Sequence, residues 1–220
     1  MAKLWNLGND PDLAPNREIA MPGETIPAMF WNAVEQRGET TWLRQKHLGI
    51  WRSASWQQTA VAVGEIAGGL LSLGFAKGEC ASILANTVVE WVWTDLAVLS
   101  AAGVANGIYP TDASSQVQYL CEDSRTTVLF VEDDEQLDKA LEVRDQLPLL
   151  RKIVVFDMEG LSNLQDPGII SLDGLRALGR EYLAKQPDAI KQRVAEVQPK
   201  DLAILVYTSG TTGKPKGAMH

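Results

Sequence analysis

Apolar positions along the chain switch repeatedly between two periods. Residues 25–38 carry Phe30, Trp31 and Val34 at helical spacing, with Pro27 in the first turn and Gly38 at the end, which predicts a short amphipathic helix. Residues 40–53 alternate around His47-Leu48-Gly49 and predict a β-hairpin carrying Trp42 and Trp51. Ser55 with Gln58 forms a capping box for a helix whose apolar face is Trp56, Ala60, Val63, Ile66, Ala67, Leu70 and Leu71, stopped by Gly74. Gly68 and Gly69 inside it cost roughly 1 kcal/mol each against alanine, so close packing on a strand is expected there.

From Cys80 onward, short apolar runs alternate with helical patterns. Strands are predicted over 80–84, 104–109, 127–131 and 153–156, with helices over 87–102 (capped by Thr87 and Glu90), 114–122 and 134–146. The helix from Asp134 sets Leu137, Ala140, Leu141 and Leu147 against a charged face with a Glu135–Lys139 pair. Residues 158–201 show no strong strand. They read as a loop, a helix over 172–184 capped by Ser171, a second helix over 187–197 and a polar turn, 198–201. The last apolar run, 202–206, predicts a buried parallel strand. Buried strands joined by helical crossovers imply an α/β fold with a doubly wound, mostly parallel sheet. Residues 1–24, rich in Asn, Asp and Pro, read as an N-terminal arm ahead of an α/β subdomain over 25–206.

The chemistry concentrates at the C-terminal end, where 207–220 read YTSGTTGKPKGAMH. Thr208, Ser209, Thr211 and Thr212 supply hydroxyls, Gly210, Gly213 and Gly217 permit close approach of backbone N–H groups, and Lys214 and Lys216 add positive charge. Such a segment, delivered by a parallel strand to the C-terminal edge of a sheet, is suited to phosphate. It is not a P-loop. That motif needs Gly-Lys-Ser/Thr five residues after its first glycine, and Pro215 stands where its second glycine belongs.

Residues 207–217 resemble the Tyr-Thr-Ser-Gly-Thr-Thr-Gly-x-Pro-Lys-Gly signature of the AMP-forming acyl-adenylate superfamily, with Lys214 in the free position. Upstream, Gly78-Glu79 through Leu84, Asn86, Glu90-Trp91, Ala101-Ala102-Gly103 and Pro110 are similar to scaffold segments of that family, with Glu79 in place of the usual Asp. Tyr109-Pro110-Thr111 and the two helices before Pro199-Lys200-Asp201 look like the bacterial long-chain acyl-CoA synthetase branch. The resemblance implies a ligase that activates a fatty acid with ATP and Mg²⁺ to an acyl-adenylate and transfers it to CoA. In that reading Thr208, Ser209, Gly210, Thr211, Thr212, Gly213 and Gly217 hold phosphate, and Lys216 is the catalytic point charge. His220 lies two residues short of the family's histidine and takes no role. The superfamily continues for several hundred residues, so the resemblance implies an N-terminal portion, with the adenine, magnesium and CoA contacts beyond His220. Adenylation of another carboxylic acid for a carrier protein, or a non-catalytic nucleotide-binding remnant, are the competing readings.

Charge narrows the partners. A formal net charge of -8, with no Lys/Arg cluster, argues against nucleic acid and leaves Lys214 and Lys216 to attract anionic ATP and CoA. Cys80 and Cys121 have no metal-ligand spacing and read as small buried residues in a reducing compartment. No signal peptide or membrane-spanning run is visible, so a cytoplasmic location is expected, with peripheral contact at a membrane surface compatible with it. Trp91 and Trp93 read as core or interface anchors before lining for an acyl channel, and Glu122-Asp123 and 132–135 as solvated helix ends before magnesium ligands.

Overall fold

The computed structural model describes residues 23–208 and 214–220; the expected N-terminal arm falls almost wholly outside them. Helix α1 (Ile26–Arg37) precedes a two-stranded hairpin of β1 (Thr41–His47) and β2 (Ile50–Ser55). Then follow α2 (Trp56–Ser72), β3 (Cys80–Leu84), α3 (Val89–Ser100), β4 (Val104–Ile108), α4 (Ser114–Asp123), β5 (Thr126–Val131), α5 (Asp134–Val143) and β6 (Lys152–Val155). The chain closes with β7 (Ile169–Ser171), α6 (Leu172–Lys185), α7 (Ala189–Glu196), β8 (Ile204–Thr208) and β9 (Lys216–Met219).

Seven strands form one sheet in the order β7-β6-β5-β3-β4-β8-β9, parallel throughout except for β9. One face packs Ile66, Leu70, Val98, Ala105 and Leu175 under α1, α2, α3 and α6. The other packs Leu84, Val117, Leu120, Leu137 and Ala140 under α4 and α5. The expected doubly wound α/β fold is therefore formed, with helices on both faces.

Local chemistry explains most element ends. The Ser55 hydroxyl accepts from Gln58 N while Gln58 Oε1 accepts from Ser55 N, completing the capping box. Ser171 accepts from Gly174 N at the start of α6, as its position predicts. The hairpin turns through Leu48 (φ 47°) and Gly49 (φ 81°), the two left-handed residues of a type I′ turn. Both cysteines are buried thiols, and burial pushes Cys80 up to about 11 and Cys121 up to about 12.

Four expectations are corrected. Thr87 and Glu90 do not cap α3; Val89 N donates instead to Gln45 Oε1 of the hairpin at 2.6 Å, because a side chain from β1 occupies the helix end. Residues 158–201 do contain a strand. The three-residue β7 pairs with β6 at the sheet edge and was too short for a two-residue period to show. Strand β8 is only half-buried, with Val206 45% exposed where a groove separates the strand from α3. Finally, Gly68 and Gly69 pack against a helix. A Cβ at Gly69 would lie 2.4 Å from the Leu175 carbonyl oxygen of α6, and one at Gly68 would lie 2.9 Å from Leu183 Cγ. Arg176 and Arg180 of α6 reach Glu65 of α2 at 2.7 and 3.2 Å across the same crossing.

Candidate functional site

The segment carrying the candidate chemistry joins β8 to β9. These two strands are antiparallel, with Tyr207 opposite Gly217 and Thr208 opposite Lys216. Cross-strand partners share a face, so the Thr208 hydroxyl and the Lys216 ammonium stem emerge side by side, both exposed, at the C-terminal edge of the parallel strands. Ser209, Gly210, Thr211, Thr212 and Gly213 lie outside the described residues. Tyr207 and Thr208 belong to β8 and Lys216 and Gly217 to β9, so both ends of the segment are strand.

Helix α4 holds both legs of this hairpin. Tyr207 Oη donates to Asp123 Oδ2 at 2.7 Å on the incoming leg, and Tyr119 Oη donates to the Pro215 carbonyl at 2.8 Å on the outgoing one. Burial first, and then the Asp123 carboxylate, push the Tyr207 phenol well above its ordinary range, so it remains a donor. Lys214 Nζ sits 4.6 Å from the Tyr119 ring centroid, a cation–π contact that engages this lysine with the scaffold. Lys216 has no such contact among the described residues. Gly217 meets a steric requirement, because a Cβ there would come 3.2 Å from Tyr207 Cζ.

Tyr119 and Asp123 escaped the sequence reading, and Asp123 is not simply a solvated helix end. Their one signal was four-residue spacing on a single helix face, which nothing local connects to residues more than eighty positions away.

Below Thr208 on the same face, a groove of about 220 Å³ runs between β8 and α3, lined by Trp91, Asp95, Gly107, Ile204 and Val206. Among the described residues Asp95 Oδ1 has no hydrogen-bond partner, and burial raises the carboxyl's pKa to about 6. The folded carboxyl thus holds its proton more tightly than an unfolded one near 3.9. Its contribution is most favourable below about pH 4 and is lost as pH rises to about 6. Replacing Asp95 with Asn should raise stability at pH 7 by about 2 kcal/mol and flatten the decline between about pH 4 and 6. Urea unfolding across that range checks this, and an unchanged slope would refute it.

A second cavity, of about 590 Å³, lies under the β1–β2 hairpin at the other end of the C-terminal edge. Gln45, Arg52, Trp93, Glu132, Asp133 and Phe156 line it. Trp91 and Trp93 therefore border different cavities, and both pack against the first core cluster as anchors. Glu132 Oε2 accepts from Asn86 N and Nδ2 at 2.6 and 2.9 Å, tying the loops after β3 and β5 together. Asp133 caps α5 by accepting from Gln136 N. Among the described residues no group of three or more His, Cys, Asp or Glu is arranged to hold a metal ion.

The AMP-binding enzyme family matches residues 30–220. The chain is 31% identical over 195 residues to the long-chain-fatty-acid–CoA ligase ACSBG1 of Rattus norvegicus, covering 89% of this chain and 26% of that protein. It is 30% identical over 210 residues to the long-chain-fatty-acid–CoA ligase FadD15 of Mycobacterium bovis, covering 91% of this chain and 33% of that protein. It thus spans a quarter to a third of the length of these relatives. Among solved structures, the anthranilate CoA ligase AuaEII in complex with anthranoyl-AMP superposes with a TM-score of 0.67 at 26% identity, over 87% of this chain and 33% of that one. The A-PCP didomain of a carboxylic acid reductase from Segniliparus rugosus, at 18% identity and a TM-score of 0.63 over 88% of this chain and 31% of that one, shares the fold. With the family matched over nearly all the described residues and its signature mounted on the β8–β9 hairpin, the chain belongs to the AMP-binding enzymes.

Proposed function

We propose that this chain forms the phosphate-binding part of an AMP-forming acid–thiol ligase acting on long-chain fatty acids. The observation that carries the reading is the pairing of Thr208 with Lys216 at the C-terminal sheet edge, within an eleven-residue segment rich in hydroxyls and glycine. The fatty-acid preference is supported by the names of the similar ligases. In this reading a carboxylate oxygen attacks the α-phosphorus of ATP and the bond to pyrophosphate breaks; the thiol of CoA then attacks the acyl carbon and AMP leaves. Thr208, Ser209, Gly210, Thr211, Thr212, Gly213 and Gly217 hold the phosphates. Lys216 supplies positive charge where charge accumulates on the departing pyrophosphate. ATP would bring the energy of its phosphoanhydride bond and Mg²⁺ as its counter-ion; none of the described residues is assigned to the metal.

The test is a panel of acids from acetate to palmitate, with benzoate and anthranilate, offered to the full-length protein with ATP and CoA. Release of AMP and formation of thioester should both be greatest with the long-chain acids. A maximum with an aromatic acid would shift the substrate class toward that named for the anthranilate CoA ligase. An absence of acid-dependent exchange of pyrophosphate into ATP would overturn the catalytic reading.

A further inference from the structure

Among the described residues, nothing covers the tip of the β1–β2 hairpin. Leu48 is 88% exposed, Ile50 69% and Trp51 63%, three large apolar side chains gathered at one turn. Scattered exposed hydrophobics are ordinary, but a cluster of this kind at a protruding tip marks a contact surface. Leu48 is more telling still, since it holds φ 47°, the first central position of a turn that favours Asn, Asp or Gly. A leucine there is strained and solvated at once, and nothing inside the described chain compensates for either.

The surrounding charge indicates the partner. Lys46 lies directly opposite Trp51 and Arg44 opposite Ser53, so Arg44, Lys46 and Trp51 share the outer face of the hairpin. All three are exposed, and among the described residues neither cation enters an ion pair. From Thr41 to Ser55 the sequence has Arg44, Lys46 and Arg52 and no acidic residue, although the whole chain carries a net charge of -8. A locally basic, tryptophan-bearing tip on an acidic protein matches an anionic lipid surface: indole rings settle at the headgroup level, lysine and arginine stems reach the phosphates, and the turn leucine enters the acyl boundary. Among the described residues no helix is long and apolar enough to cross a membrane, so such contact would be peripheral.

We infer that the β1–β2 hairpin is a membrane-docking element that inserts Leu48, Ile50 and Trp51 into the interface of an anionic bilayer, with Arg44 and Lys46 on its headgroups. The inference is independent of the acid that the protein activates. It is tested by co-sedimentation of the full chain with phosphatidylcholine vesicles, with and without phosphatidylserine, at low and high salt. Binding should require phosphatidylserine and fall with salt. The double variant Leu48→Asn with Trp51→Ser should bind about tenfold more weakly or worse. Leu48→Asn alone relaxes the turn, so an unchanged or higher melting temperature separates lost docking from lost folding. Arg44→Gln with Lys46→Gln should cost about fivefold for each charge removed. Equal binding by the tip variant, or no preference for phosphatidylserine, would overturn the inference. So would tip-dependent self-association without vesicles, which would make this face a contact between copies of the chain.

Discussion

Changing Lys216 to Ala in the full-length protein should lower the rate of adenylate formation by about 10²–10³, the usual effect of removing one donor aimed at developing charge. Thioester formation from synthetic acyl-AMP and CoA should keep most of its rate, because pyrophosphate has already departed in that half-reaction. The contrast between the two lysines of the segment sharpens the test. Lys214 is engaged with the Tyr119 ring, whereas Lys216 stands beside Thr208 with no competing contact among the described residues. Lys214→Ala should therefore leave adenylation far less affected. Single-turnover measurements of each half-reaction decide the matter: equal loss in both would assign Lys216 to the fold or to thioester formation, and little loss in either would remove it from the site.

Replacing Gly179 with Ala should destabilise the protein by about 3 kcal/mol or more, through overpacking at the α2–α6 crossing. A Cβ at Gly179 would lie 1.8 Å from the Glu65 carbonyl oxygen and 2.7 Å from Gly69 N, both backbone atoms that cannot rotate away. Forcing the helices apart would also disturb the Glu65 contacts with Arg176 and Arg180. Gly64 supplies the control. It lies in the same helix α2, and the nearest atom to a Cβ there is the Trp31 ring at an ordinary 3.7 Å. Gly64→Ala should be neutral or stabilising by up to about 1 kcal/mol, reflecting helix propensity alone. Denaturant melts of the two variants should diverge, and equal effects would show that the close crossing does not govern Gly179.

How far these features could be read from the residues depended on the range of the interaction behind them. The capping box at Ser55, the turn at Gly49 and the Ser171 cap are each decided within four residues, and each formed as the sequence implies. The alternation of strands and helices was equally legible, because burial on both sheet faces imposes unbroken apolar runs such as 128–131. Contacts set by tertiary placement were not legible. Gly68 and Gly69 signalled a close approach, but only the fold could show that its partner is α6, a hundred residues later. Likewise Gln45 displaces the expected cap at α3 from a different supersecondary unit. At the candidate site the eleven-residue segment stood out by composition, whereas its supports on α4, Tyr119 and Asp123, looked like ordinary surface residues.

Those supports bear on the thermodynamics of ligand capture. Bringing the ends of a chain segment together has an entropic cost, which falls on whichever process fixes them. Here the ends are fixed by folding: β8 and β9 are paired through four registered positions, and α4 grips Tyr207 on one side and Pro215 on the other. Holding Thr208 and Pro215 together therefore belongs to the stability of the sheet, and a phosphate ligand at the proposed site need not supply it. Preorganisation of this kind leaves more of the gross interaction energy to appear as affinity. Variants that loosen the grip, such as Asp123→Ala, would transfer part of that cost back to binding and should weaken the nucleotide affinity of the proposed site.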